Sequence, residues 1–370
     1  MPGNQFRGSF ELTQAKMLAK QGHNVTYLSC VFHPYKKIKK WGYVTWNEDD
    51  LTVCCYSAPY TWERLNFYCK RFVQKQWSKL LCNAHRQCGL PDVIHVHYPA
   101  MLAEPEVLEE YMHKGVKLAV TEHWSAVLIN KLREHEKRRL CWYMQKADGV
   151  IAVSKSLAEA MERISGSRRK ISVIPNMVSD AFKYKHGKQN DSVFRFITVG
   201  RLIPLRQYDK IITAFDDLFH GREDVTLSLV GDGSEFKRLK RLIESRKAEG
   251  NIYLCGAKPQ EECAKLLSRS DCLVCYSRYE TFGVPVIEAW ACGIPVIMPE
   301  KLGFLDSSQS DKFGIATDCD DIETLKLALK KTAENKDGYD GEFISGYARE
   351  HFSEQVIGKK LNEFYQKCVY

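Results

Sequence analysis

The stretch Ser277-Arg-Tyr-Glu280-Thr-Phe-Gly283-Val-Pro-Val-Ile-Glu288-Ala-Trp-Ala-Cys-Gly293-Ile-Pro295-Val296 decides how this chain is read. Just before it, Cys272-Leu-Val-Cys-Tyr276 is short and apolar, as a buried strand is, and Val286 to Ala291 reads as the first turns of a helix. Glu280 then falls in a strand-to-helix loop, and Glu288 lies about two turns further on. Phe282, Gly283 and Val284 bring backbone N–H groups to the positive end of that helix, where unsatisfied donors and the dipole both favour an anion. Two carboxylates bracketing such a turn suit a phosphate-bearing ligand with hydroxyl groups on either side.

Upstream, Val199-Gly200-Arg201-Leu-Ile-Pro204-Leu-Arg206-Gln207 follows a predicted strand and opens a helix, which aims two guanidinium groups out of the end of the sheet where open α/β folds bind ligands. Leu229-Val230-Gly231-Asp232-Gly233-Ser234 is a second strand ending in a glycine turn. A Gly-x-Gly pair is weak by itself, and a tight turn with Ser234 as helix N-cap reads equally well. Cys255-Gly256-Ala257-Lys258 closes a third strand.

These motifs, with seven residues between Glu280 and Glu288, Phe-Gly inside and Ala-x-Ala-x-Gly-x-Pro-Val after, resemble the donor site of the retaining GT-B glycosyltransferases, the "glycosyl transferases group 1" family. The resemblance spans nearly the whole chain and implies two Rossmann-like doubly wound domains facing a central cleft. It implies that Glu280 meets the transferred sugar, that Glu288 holds the ribose, and that the Phe282, Gly283 and Val284 amides meet phosphate. Arg201 and Arg206 would hold the donor diphosphate, Gly200 and Gly231 would belong to the same donor loops, and the main chain at Gly256 would meet the base. Arg206 stands where most members carry Lys, so a planar fork replaces a point charge. Gln207 stands where they carry Gly.

In the first half, Arg7-Gly8-Ser9-Phe10 resembles the family's opening glycine loop, with Gly8 approaching the donor phosphate. The family has a strand before that loop, so a first strand is either lacking here or lies upstream. Thr121-Glu122-His123-Trp124 ends a strand, and the resemblance places His123 against the donor sugar and the acceptor; a structural His capping the next helix is the alternative. His95 and His97 alternate with Ile94 and Val96, so both face one side of their strand. Val173-Ile-Pro175-Asn176-Met177 resembles the segment before the interdomain linker, with Met177 where Gly is usual.

At 370 residues the chain exceeds one ordinary core, and about two domains are expected. Polar composition puts a division after residue 183, and the resemblance implies an acceptor-side domain of 1–183 plus 352–370, with a returning C-terminal helix, and a donor-binding domain of 184–351. The first half alternates as helix Phe10 to Gln21, then strands Asn24 to Cys30, Asp92 to His97, Val116 to Glu122 and Gly149 to Ser154. Polar Tyr184 to Ser192 has linker composition, and from Phe194 the alternation resumes.

No apolar run approaches the roughly 20 residues that cross a bilayer, and the first residues lack the apolar core of a secretory signal, so a cytoplasmic protein is expected. Fourteen cysteines sit mostly singly in apolar patterns, as reduced buried thiols do, and Cys272 and Cys275 fall inside a strand with no second pair at zinc-finger spacing. Asp318-Cys-Asp320-Asp321 contains an Asp-x-Asp but sits at a helix start, where capping is the simpler role. The expectation is therefore no metal and no cofactor, with the nucleotide diphosphate-sugar as a substrate.

The formal charge of +8 suits anionic partners without choosing among them. From Tyr60 to Leu80, aromatic and basic residues interleave; on a helix, Arg64, Phe67, Arg71 and Lys75 adjoin one face that could rest on an anionic membrane, peripherally on the inner face of the plasma membrane, beside a lipid-linked acceptor. An ordinary domain helix burying Leu65, Phe72 and Leu80 is the alternative. No nucleic-acid module is recognised. The activity the resemblance implies is a retaining hexosyl-type transfer to a saccharide or lipid-linked saccharide in cell-surface polysaccharide synthesis, with the leaving phosphate oxygen receiving the acceptor proton. An epimerase on the same fold and a non-catalytic nucleotide-sugar-binding subunit are the rivals.

Overall fold

The computed structural model describes residues 10–33, 42–48, 50–59, 66–101, 106–184, 192–300, 302, 311–336 and 338–369, with the side chains of 31–33, 58–59 and 66–71 left aside. In chain order the first part comprises Phe10–Lys20 (α1), Val25–His33 (β1), Gly42–Glu48 (β2), Leu51–Pro59 (β3), Asn66–Cys88 (α2), Val93–His97 (β4), Glu106–His113 (α3), Lys117–Glu122 (β5), Ser125–Leu128 (α4), Glu134–Lys146 (α5), Gly149–Ala152 (β6), Lys155–Ser165 (α6) and Ser172–Val173 (β7). There follow Phe194–Val199 (β8), a 3-10 turn Pro204–Arg206, Tyr208–Phe219 (α7), Val225–Val230 (β9), Phe236–Arg246 (α8), Ile252–Gly256 (β10), Gln260–Leu267 (α9), Cys272–Val274 (β11), Val284–Ala291 (α10), Val296–Pro299 (β12), Gly314–Thr317 (β13), Ile322–Glu334 (α11), Gly341–Phe352 (α12) and Glu354–Val369 (α13).

Two compact units result, one of residues 1–174 with 358–370 and one of 175–357. The division falls earlier than the 183/184 step read from composition, and later than 351/352, because the chain after Pro175 bonds within the second unit. Val178 N–H donates to Phe352 O at 2.8 Å, and Asp180 N–H donates to the Glu354 carboxylate at 3.3 Å.

The second unit holds one six-stranded parallel sheet in the order β10-β9-β8-β11-β12-β13. Its strands are apolar on both faces, as strands covered by helices on each side must be: Phe196, Ile197, Leu227, Leu229, Leu273, Val274, Val296 and Ile297 are all buried. On one side Phe196, Phe215 and Phe219 interlock with ring centroids 5.2–6.2 Å apart. On the other, Trp290 of α10 packs 4.8 Å from Phe313 and 6.0 Å from Tyr347 of α12. The chain builds β8, β9 and β10 outward in one direction, then returns to lay β11 against the free side of β8. That reversal between β8 and β11 is a topological switch point, where the strand ends open a crevice.

In the first unit the described strands pair as β1-β3-β2, with β1 and β3 parallel and β2 and β3 antiparallel, and as parallel β4-β5-β6-β7. The β2–β3 hairpin falls outside the strands that the sequence pattern predicts. Its first strand, Gly-Tyr-Val-Thr-Trp-Asn-Glu, alternates between half-buried and exposed positions, and so buries one face only. Strand β6 is capped by α13, which approaches so closely that a methyl on Gly149 would meet Cys368 Sγ and the Phe364 ring at 2.4 Å. Helix α2 buries Gln76, Leu80, Leu81 and Ala84 but leaves Phe72 44% exposed, so Phe72 is not the core residue of the ordinary-helix reading. Residues 60–65 and the side chains of Phe67 and Arg71 lie outside the described residues. Among the described residues no helix is long and apolar enough to cross a membrane.

Candidate nucleotide-sugar site

The crevice at the switch point is lined by Thr198 and Val199 of β8, Arg206 and Tyr208 beyond it, Cys275 to Ser277 after β11, and Pro285 of α10. The loop after β8 makes a single 3-10 turn, and Gln207 then takes a left-handed conformation (φ 51°, ψ 38°) before α7 begins. A side chain in that conformation costs on the order of 1–2 kcal/mol. Gln207 offsets it with its buried amide, whose Nε2 donates to Tyr276 O at 3.2 Å and Cys319 O at 2.9 Å. The substitution of the family's Gly by Gln therefore keeps the turn and clasps it to the loop after β11.

Arg206 is brought to that loop. Its Nη1 donates to Ser277 Oγ at 3.0 Å and to Glu280 Oε2, in a pair whose side chains are 23% and 7% exposed. Burial, the largest single effect, lowers the Arg206 pKa, but the charge and hydrogen bond of Glu280 together with nearby Cys275 and Tyr208 outweigh it, and the pKa is raised. The guanidinium has five N–H donors, so Nε and Nη2 are not engaged by these two bonds. Arg201, on the same loop, is exposed and has no ion pair among the described residues. One arginine is thus ion-paired and one is exposed.

Gly200, Gly231 and Gly256 sit at the adjacent ends of β8, β9 and β10. Gly200 N–H donates to Val230 O at 3.0 Å and Gly231 N–H to Gly256 O at 2.9 Å. Gly231 has φ 155°, and a Cβ there would lie 1.8 Å from Gly200 O, so the glycine turn is required by backbone packing between neighbouring strands. Ser234 does not cap α8, whose N-cap is Glu235. A sequence reading cannot see that Gly231 leans on Gly200, because thirty positions separate them.

Helix α10 starts at Val284 with Gly283 in the left-handed region (φ 89°, ψ 54°) as its N-cap. Pro285 is tolerated in the first turn because the N–H it lacks would have had no partner inside the helix. The Phe282 side chain is buried edge-on against Phe352 at 5.8 Å, so only its backbone is left for a ligand. Glu288, about one turn into α10, is half-buried and carries no side-chain hydrogen bond or ion pair among the described residues. Burial pushes its carboxyl up to about 8. A shielded carboxyl without a partner is suited to a neutral hydroxyl.

Other expected positions fall elsewhere. Gly8 lies outside the described residues. His123, in the first unit, follows β5 and is buried beside His97, whose Nδ1 is 3.0 Å from His123 Nε2. Asp321 caps α11 by accepting from Glu323 N–H at 2.9 Å, and Asp320 pairs with Arg278 at 3.0 Å. Ser277 and Gln207, which place Arg206 and the loop, carried no signal beyond their neighbourhood to the two motifs.

Residues 179–351 match the family described as glycosyl transferases group 1, and residues 12–182 match glycosyltransferase family 4. The chain is 24% identical over 368 residues to the N-acetyl-alpha-D-glucosaminyl L-malate synthase of Bacillus anthracis, covering 96% of this chain and 91% of that one. It is 27% identical over 235 residues to the GPI3 subunit of phosphatidylinositol N-acetylglucosaminyltransferase of Saccharomyces cerevisiae, covering 57% of this chain and half of that subunit's length. Among solved structures, sucrose-phosphate synthase from Thermosynechococcus elongatus superposes with a TM-score of 0.77 at 17% identity, covering 99% and 96% of the two chains. Anabaena HepE in complex with UDP superposes with a TM-score of 0.66 at 16% identity, covering 93% and 100%. These likenesses fix the fold as GT-B, with two Rossmann-like domains.

Proposed function

We propose, because the chain belongs to the glycosyl transferases group 1 family, that it transfers a sugar with retention from a nucleotide diphosphate-sugar to a saccharide or lipid-linked saccharide acceptor. The observation that carries the reading is the Arg206–Glu280 pair at the switch point, with Arg201 beside it and the α10 N-terminus behind it. Two guanidinium groups and open amides neutralise a leaving diphosphate, a fixed electrostatic arrangement of the kind that supplies large catalytic effects. Glu280, already oriented by Arg206, faces the sugar, and Glu288 accepts the ribose.

The sugar we assign is N-acetylglucosamine, since two curated relatives of different acceptor chemistry both carry it in their names. A role in cell-surface polysaccharide synthesis is supported by a 25% identical relative named for colanic acid biosynthesis in Escherichia coli, which covers 83% of this chain. Exposed Lys75, Lys79 and Phe72 on α2 suit peripheral contact with an anionic membrane.

The test is to incubate the protein with UDP-N-acetylglucosamine and a panel of other nucleotide sugars, with and without acceptor extract, and to measure released diphosphate and the anomeric configuration of the product. Arg201→Ala and Glu280→Ala should each lower transfer on the order of a hundredfold or more. Transfer unchanged in both variants would remove the site assignment. An isomerised donor would point to an epimerase, and tight donor binding without turnover to a binding subunit.

A further inference from the structure

The first unit carries a cluster that the residues around Arg206 leave unexplained. Strand β4 ends in His95-Val-His97, whose rings stack at 4.4 Å with planes 26° apart. Its parallel neighbour β5 sets Thr121 opposite His97, so His123, just beyond β5, comes level with the His97 ring. The two rings stack at 5.2 Å and 19°, and His97 Nδ1 lies 3.0 Å from His123 Nε2. His95 is held at both nitrogens, with Nδ1 2.6 Å from the Tyr365 hydroxyl of α13 and Nε2 2.7 Å from Thr121 Oγ1.

The backbone under this array is fixed as well. The buried Glu122 carboxylate accepts the N–H groups of His123 and Trp124 at 2.8 and 2.9 Å and that of Ala100 at 3.2 Å. Tyr98 turns the chain with φ 56°, and its ring lies 4.9 Å from His123; the Phe10 ring lies 4.6 Å away. His123 is 6% exposed, and its Nδ1 is buried with no hydrogen-bond partner among the described residues. Leaving such an atom unpaired costs about 1–3 kcal/mol, so its retention calls for an explanation.

A neutral imidazole has one N–H and one bare nitrogen. If His97 donates, His123 accepts at Nε2 and carries its proton on Nδ1; if His97 accepts, Nδ1 of His123 is the bare nitrogen. We propose that His97 is a positioning residue, which fixes the tautomer and orientation of His123 and so decides whether the open Nδ1 gives or takes a hydrogen bond with a ligand hydroxyl. Phe10 and Tyr98 pack against the His123 ring, with centroids 4.6 and 4.9 Å away. His95, locked by Tyr365 and Thr121, is the plate against which His97 stacks. The inference rests on the reading of His123 as a residue of the transfer site.

The experiment uses the full chain with nitrogen-15-labelled histidine and UDP-N-acetylglucosamine as donor. His97→Phe keeps the stacked ring without a nitrogen, and His97→Asn keeps a polar group near the place of Nδ1 without the ring. Nitrogen-15 spectra should show one His123 tautomer in the wild type and in His97→Asn, and a mixed or reversed population in His97→Phe. In His97→Phe kcat should fall about tenfold or more, as misorientation of a site group does. KM for the donor should move less than about twofold, with His97→Asn recovering most of the loss. In His123→Ala the further change His97→Phe should have no effect. An unaltered His123 tautomer in His97→Phe, or a loss that persists in full on the His123→Ala background, would overturn the proposal. A shifted tautomer with His123→Ala turning over at the wild-type rate would leave the positioning intact and remove His123 from the site.

Discussion

Burial of the histidine array has a consequence for stability that follows from its charges. Burial lowers His97 to about 4, and it lowers His95 and His123 well below the usual histidine value, aided by their neighbouring rings' charges. Burial raises Glu122 to about 7 against the pull of three backbone N–H groups. A depressed histidine contributes stability that is complete above its unfolded pKa of about 6.5 and is lost as pH falls through the folded value. A raised glutamate works the other way, with its contribution complete below about 4.5 and lost as pH rises through about 7. Three histidines outweigh one glutamate, so the first unit should weaken as pH drops from 6.5 to 4.5. Over that window His97 alone accounts for about 2 kcal/mol, and urea titrations at the two pH values should find the wild-type loss larger than that of His97→Phe by this amount. Equal losses would show that His97 is not held neutral by the fold. At this scale the sequence was partly readable: alternation along Val93–His97 put His95 and His97 on one side. Which third ring they would meet depended on strand register, and no local pattern encodes that. Gln207 is similar. Its place in the motif was visible, but its two carbonyl partners lie at Tyr276 and Cys319, distant in sequence.

The elements around the switch point were the most legible part of the chain, because each carries its own signal. Continuous apolar runs gave β8, β9, β10 and β11, and glycine punctuation gave their ends. Helix α10 begins two residues earlier than the apolar pattern suggested, since Pro285 is accepted in a first turn and Gly283 supplies the cap. Strand β2 and its partner β3 were harder, because a strand with one half-exposed face offers only alternation, and its pairing with β1 is long-range. The element-scale prediction concerns Gly231. Alanine there would put a methyl 1.8 Å from Gly200 O, a backbone atom that cannot rotate away, and would force the ends of β8 and β9 apart. Strained overpacking of this kind costs roughly 1–3 kcal/mol or somewhat more. Because the same displacement carries Arg201 and Arg206 with it, Gly231→Ala should lower both the urea midpoint and donor turnover, whereas Gly256→Ala, which meets nothing within 4 Å, strains only its own φ of 71° and should affect stability less. If the Gly231 variant proved as stable as the Gly256 variant, the strand ends would not be coupled as described.

For the whole molecule, what composition could supply was the number of units, and contacts decided where they divide. A polar stretch marks a place where chain is exposed, not where its hydrogen bonds go, and residues 175–183 bond within the second unit even though they precede that stretch. Each unit has its own buried core, so unfolding as a single all-or-none step is not required. The crevice, both arginines, Glu280 and Glu288 belong to the second unit alone. A nucleotide diphosphate without its sugar should therefore stabilise that unit selectively: at about 100 times its Kd, UDP should add about 2.7 kcal/mol to the unit it binds. In a calorimetric scan with UDP one transition should rise while the other stays in place, and the low-pH transition that responds to His97→Phe should be the one that stays. Arg201→Ala should abolish the UDP-dependent rise without altering the scan in its absence, since Arg201 is exposed and unpaired among the described residues. Should UDP instead raise the histidine-dependent transition alone, the anion site would belong to the first unit and the assignment of Arg201 and Arg206 would be wrong.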